Sequence, residues 1–195
     1  MVVLAIVLAF ARSFEAGDPL PVYGEVPAFS LTNEAGKIVT RDSLLGRVWI
    51  CDVIFTRCPS QCLRMSELMS RLQKQLADYA AVRIVSLTAD PSFDTPPVLK
   101  AYAARFGADP QRWMFLTGDK PALHHLAADG LKFVVADKKP GERDSADDLF
   151  IHTTKAVLVD KQGRIRKWFS TEEENSARDI VRAAKALAKE PGNAP

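Results

Sequence analysis

The sequence predicts one mixed α/β domain, a mixed sheet held between helices. Three observations carry this. Apolar stretches of strand length alternate with helical periodicity through the middle of the chain, a hairpin pattern stands at each end, and no linker or repeat interrupts residues 27–189. The 195 residues suffice for one domain with short extensions, and a hydrophobic fraction of 47% can bury a full core. Charged residues make up 26% and nearly cancel, at +2. Phosphate binding usually needs a marked basic excess or stripe, so no nucleic-acid partner is expected. Three cysteines are too few for a disulfide scaffold, and two of them close in sequence favour metal or redox chemistry.

Met1 to Ala11 is an apolar run followed by Arg12. It is too short to span a membrane, which takes about 20 apolar residues, and fits the apolar region of a signal peptide. Residues 1–16 are therefore expected to be an export signal or membrane anchor whose start lies further upstream; an ordinary buried strand or helix is the alternative. Residues 17–26 are rich in Gly and Pro and read as a tether. Pro27 to Leu31, the Asn33–Gly36 turn and Lys37 to Val39 form a hairpin pattern, and Arg41 to Gly46 a helical turn ended by glycine. Arg47 to Phe55 is nearly all apolar, as expected of a central strand covered on both faces. Leu63 to Tyr79 carries leucines at helical spacing. Val82 to Leu87 is the next strand. Asp90 to Pro97 is a turn-rich loop whose prolines open a helix over Val98 to Phe106, stopped by Gly107. Trp113 to Leu116 is a short strand and Lys120 to Ala128 a helix ending near Gly130. Ala136 to Asp148 is charged and reads as an exposed loop. Thr154 to Val159, the Asp160–Gly163 turn and Arg164 to Phe169 form the second hairpin. Ala177 to Ala188 is an amphipathic helix, and 190–195 a frayed tail.

Chemistry concentrates where the central strand meets the first long helix. Cys58 and Cys62 share one helical face, with Cβ atoms about 5–6 Å apart at that spacing. Two sulfurs so placed can hold one soft metal ion or close on each other. A helix start and the neighbouring Arg57 are expected to favour thiolates. His152 stands where the charged loop meets a strand, and its ring can be held at a sheet edge. Asp52 interrupts an apolar strand, so it is paired or holds a proton, and it can accept one from a buried thiol. Asp90 ends a neighbouring strand, near where ligands gather in open α/β sheets. Cys51 reads as a small buried hydrophobe, Met65 and Met69 as core, and His124 and His125 as solvated.

These residues carry a resemblance. Phe55-Thr-Arg-Cys-Pro-Ser-Gln-Cys62 resembles the F-T-x-C-P-x-x-C motif of the Sco/SenC proteins. Asp90-Pro-Ser-Phe-Asp-Thr95 resembles their D-P-x-x-D-T, and His152 to Gly163 their histidine strand with its V-D-x-x-G turn. The resemblance implies a thioredoxin-like fold and a copper site. Cys58 and Cys62 would give two thiolates and His152 one imidazole nitrogen, to Cu(I) or Cu(II). It implies delivery of copper to the copper-receiving subunit of cytochrome c oxidase, or reduction of that centre's cysteines, with a thioredoxin-like reductant or another copper chaperone as further partners. It places the chain on the extracytoplasmic face of the bacterial envelope, anchored to the membrane. Asp52 resembles the buried aspartate of thioredoxins. Two positions depart from the pattern: Ile151 replaces a frequent Asp before the histidine, and Leu63 a frequent Pro after the second cysteine. The first removes a carboxylate that could orient the imidazole.

Soft thiolates select Cu(I), and zinc would want a fourth ligand or an open water position. A thiol-disulfide oxidoreductase needs only Cys58 and Cys62, with Asp52 handling protons. A copper or redox sensor would bind without transfer. A peroxiredoxin would need threonine where Phe55 stands.

Overall fold

The computed structural model describes residues 19–142, 150–152 and 154–191, except for the side chains of 140, 151 and 152. The expected signal or anchor, the end of the charged loop and most of the tail lie outside these residues. Among the described residues, no helix is long and apolar enough to cross a membrane.

The centre is β4 (Val48–Ile54), all seven of whose residues are buried. An apolar run without alternation can satisfy its backbone only inside a sheet covered on both sides. It pairs in parallel with β5 (Val82–Thr88), from Val48 against Val82 to Ile54 against Thr88. Beyond β5 lies β6 (Trp113–Thr117), also parallel. On its other side β4 meets β9 (Lys155–Val159) antiparallel, and β9 meets β10 (Arg164–Ser170) across the expected turn. The N-terminal hairpin of β2 (Ser30–Asn33) and β3 (Ile38–Thr40) adds to β6 through β2. With β1 (Gly24–Glu25) on β10, the eight strands run β1-β10-β9-β4-β5-β6-β2-β3. This is the mixed sheet that the sequence predicts.

Parallel strands need long crossovers, and helices supply them here. The crossover from β4 to β5 is α2 (Gln61–Gln75), which turns Leu68, Met69 and Leu72 into the core. From β5 to β6 it is α3 (Pro96–Arg105), opened by two prolines and closed by Gly107 at φ 64°, a backbone conformation that favours glycine. Ser70 and Gln73 of α2 donate to the Phe106 and Gly107 carbonyls, tying the two helices. The last helix, α5 (Ser176–Lys189), packs on α2, β4 and β10. The short α1 (Arg41–Leu44) is capped by Thr40 and Ser43.

Four features depart from the sequence reading. The first long helix begins before Cys62 and ends four residues earlier than Tyr79, at Gln75. The helix from Lys120 is α-helical only to His124 (α4) and widens to a π-helical turn over His125–Gly130. The charged loop opens with a strand, β7 (Val135–Asp137), paired antiparallel to β8 (Phe150–His152) as a separate ribbon. Two strands of three residues each are too short to leave a periodic signal. The stretch expected as a tether lies, over its described part, along the sheet: Val26 is fully buried, and the Leu20 and Pro21 carbonyls accept from Arg166.

Candidate functional site

At the end of β4 the chain turns through Phe55–Cys58, where Cys58 N donates to Phe55 O at 3.2 Å, and enters α2. That turn stacks the two sulfurs over backbone donors. Cys62 N donates to Cys58 Sγ at 3.4 Å, and Phe55 N donates to Cys62 Sγ at 3.5 Å. Cys58 is 8% exposed and Cys62 fully buried, so one sulfur borders solvent and the other lies behind it. The sequence reading expects a site that makes sulfur anionic. For Cys62 burial works against this. Burial pushes its thiol far above the ordinary value, and Cys58 raises it further, against a smaller lowering from the Phe55 N–H. Desolvation outweighs the Phe55 N–H, so burial favours the neutral thiol at Cys62.

Arg57 is held by the loop after β5. Its guanidinium meets Asp90 Oδ2 at 2.5 Å and lies 4.3 Å over the Phe93 ring. The structure thus joins two candidates, Arg57 and Asp90, that the sequence left apart. Asp52 is fully buried and accepts from Ser86 Oγ at 2.6 Å; Ser86 Oγ in turn accepts from Trp113 Nε1 at 2.9 Å. Its charge is among the lesser influences that hold the Cys62 proton in place. Cys51, on the opposite face of β4, is buried with its thiol raised, first by burial and then by Asp52.

His152 lies in β8 opposite Val135, and its side chain is outside the described residues. The segment around it is fastened at the sulfur end on both sides. Before it, the Phe150 ring meets the Phe55 ring edge-on, 5.1 Å between centroids. After it, Thr154 O accepts from Thr171 N at 2.8 Å and Thr171 Oγ1 at 2.7 Å. Among the described residues, no three His, Cys, Asp or Glu side chains form a cluster that could hold a metal. Met65 and Met69 are core, at 2% and 0% exposure. His124 and His125 are exposed, and His125 Nδ1 lies 3.0 Å from Asp129 Oδ2.

Sequence reasoning missed several polar residues. Asp94, fully buried, accepts from Thr56 N at 3.1 Å, from the Thr56 hydroxyl and from the Thr88 hydroxyl. Tyr102 OH bonds Ser66 Oγ at 3.0 Å and reaches Cys62 O at 3.4 Å. The only signal for Asp94 was its place as the second acid of Asp90-Pro-Ser-Phe-Asp-Thr95. Tyr102 had none beyond its position in a helix.

A family model described as SCO1/SenC matches residues 21–189. A SCO1 protein homolog of Bacillus subtilis is 36% identical over 170 residues, covering 86% of this chain and 85% of that one. The crystal structure of a SCO1/SenC family lipoprotein from Bacillus anthracis is 31% identical, with a TM-score of 0.76 over 85% of this chain and 96% of that one. The structure of BsSco, described as a Sco family member of the cytochrome c oxidase assembly proteins with a disulfide switch, is 32% identical. Its TM-score is 0.75, over 89% of this chain and 100% of that one. Bradyrhizobium japonicum ScoI with copper bound, at 24% identity, shares the fold, with a TM-score of 0.66 over 84% and 99% of the two chains.

Proposed function

This chain belongs to the SCO1/SenC family and has that family's thioredoxin-like fold, and from this premise we propose that it binds one copper ion as cargo, through Cys58, Cys62 and His152. One observation carries the proposal. Two sulfurs backed by N–H donors stand at the mouth of the central strand, and the ribbon that bears His152 is fastened beside them through Phe150 on Phe55. The donor set suits the ion: two soft sulfurs favour Cu(I), and an imidazole serves either oxidation state. Binding replaces the Cys62 proton, so loading is coupled to proton release.

The role follows the relatives. BsSco is named among cytochrome c oxidase assembly proteins and the B. anthracis relative is a lipoprotein. We assign this chain delivery of copper to the copper-receiving subunit of cytochrome c oxidase, from the extracytoplasmic side of the envelope, with residues 1–16 as its signal or anchor. A second reading, thiol-disulfide exchange with a thioredoxin-like reductant, is favoured by the buried Cys62 thiol with the hydrogen-bonded Asp52 carboxylate near it.

An anaerobic Cu(I) titration against a competing chelator, with X-ray absorption to count sulfur and nitrogen neighbours, tests the assignment. The expected result is one copper with two sulfur neighbours and a nitrogen neighbour that disappears in His152→Ala. Unchanged one-to-one affinity in His152→Ala removes the histidine from the site and leaves the exchange reading.

A further inference from the structure

Between the end of β4 and Cys58 stand Phe55, Thr56 and Arg57. A single loop, Asp90–Asp94, holds the last two. From the inside, the buried Asp94 carboxylate takes the Thr56 N–H at 3.1 Å and the Thr56 hydroxyl. From the outside, Asp90 takes the Arg57 guanidinium while Phe93 lies beneath it. The loop is itself closed by Asp94 N donating to Asp90 O at 2.8 Å, and it is pinned to β5 by the Thr88 hydroxyl on Asp94 and by Asp90 N on Thr88 Oγ1. Thr88 stands opposite Ile54 in the parallel pair, so the grip is referenced to the rigid centre of the sheet.

The residue type fits the task. Three donors converge on Asp94, and a carboxylate offers two oxygens that only accept, whereas an amide offers one. Cys58 follows Thr56 by two peptide links, while Cys62 is carried on α2. The Thr56 backbone therefore bears directly on how far the two sulfurs lie from each other. We propose that Asp94 is a positioning residue, which clamps Thr56 and thereby sets the Cys58 sulfur against Cys62. Its functional meaning rests on the copper reading, but its geometric effect on the sulfur pair does not.

Two readouts separate positioning from simple stability. One is Cu(I) affinity by chelator competition. The other, free of copper, is the equilibrium constant for closing the Cys58–Cys62 disulfide against reduced and oxidised glutathione. Asp94→Ala is expected to change the copper affinity by about tenfold or more, the size of effect seen when a group supporting a metal ligand is removed, and to shift the glutathione constant with it. Asp94→Asn, which keeps one acceptor, should recover part of each, and Thr56→Val should shift both in the same direction by less. Asp160→Asn, which weakens a buried acid network at the far end of the sheet, should lower the Tm and leave both constants unchanged. The proposal is overturned if Asp94→Ala and Thr56→Val fold and keep parental constants, or if Asp160→Asn shifts them equally. Should Asp94→Ala fail to fold, Asp94→Asn and Thr56→Val decide on the same criteria. If the parent protein binds no Cu(I), the copper reading falls and the glutathione constant alone judges the clamp.

Discussion

Two buried aspartates stand at opposite ends of the sheet, and they are held in different ways. Asp160, 2% exposed, sits at the turn from β9 to β10, level with the start of β4. It accepts from Arg164 Nε at 2.8 Å and Arg166 Nη1 at 2.9 Å, and Arg166 also reaches Glu190 at 2.9 Å. Asp94, at the sulfur end, meets only hydroxyls and an N–H. Their acidities diverge accordingly. Burial pushes Asp160 up, but the Arg164, Arg166 and Gln162 donors outweigh it and hold the carboxyl below the usual range. For Asp94 burial is the largest influence and the neutral donors do not overcome it, so it lies above the usual range. Asp160 is held by paired charge, whereas Asp94 is held by neutral donors next to the chemistry, where perturbed acids often gather.

The largest expected effects test whether the ends are separable. Cys58→Ala or Cys62→Ala should abolish tight Cu(I) binding with cooperative unfolding retained, as read by chelator competition and thermal melting. Arg166→Met should do the reverse. Removing one partner from a buried ion network costs about 3–5 kcal/mol, measured by urea denaturation, with copper affinity unchanged. A loss of affinity there comparable to the cysteine variants would show that the two ends act as one unit.

The pH dependence sharpens the contrast, because the two acids have opposite signs. With its folded pKa lowered, Asp160 adds stability above the ordinary carboxylate pKa and loses it as pH falls through the lower folded value. With its folded pKa raised, Asp94 favours the fold when protonated, and that contribution is lost as pH rises from the ordinary value through the higher folded one. Stability profiles of Asp160→Asn and Asp94→Asn against parent should therefore show slope changes of opposite sign on the acid side. Same-sign changes would end the comparison. The smallest effect is expected at the exposed Lys120–Asp137 pair, 2.6 Å apart, where Lys120→Ala should cost under about 1 kcal/mol and fade with salt.

How much of this was legible in the sequence depends on distance along the chain. The central strand, both hairpins and the Cys58–Cys62 pair are local patterns, and the structure places the elements where those patterns stand. The clamp joins Thr56 to Asp94 and Arg57 to Asp90 across 38 and 33 residues, and periodicity carries no such pairing. The burial that raises the Cys62 thiol is not legible either, because helix position can be read from spacing while depth of burial cannot. Strand β7 was lost because Val135-Ala-Asp137 pairs only with another short strand, outside the main sheet.

The Arg166 guanidinium has one more consequence. It binds Leu20 O at 3.0 Å and the Glu190 carboxylate at 2.9 Å, so these two residues, far apart in sequence, are neighbours. A circular permutant that joins them by a short flexible linker, and opens the polypeptide between Ala35 and Gly36 at the first hairpin, should retain the topology. Its new ends would then lie beside β6 rather than β10, giving a second direction from which to display the same two sulfurs.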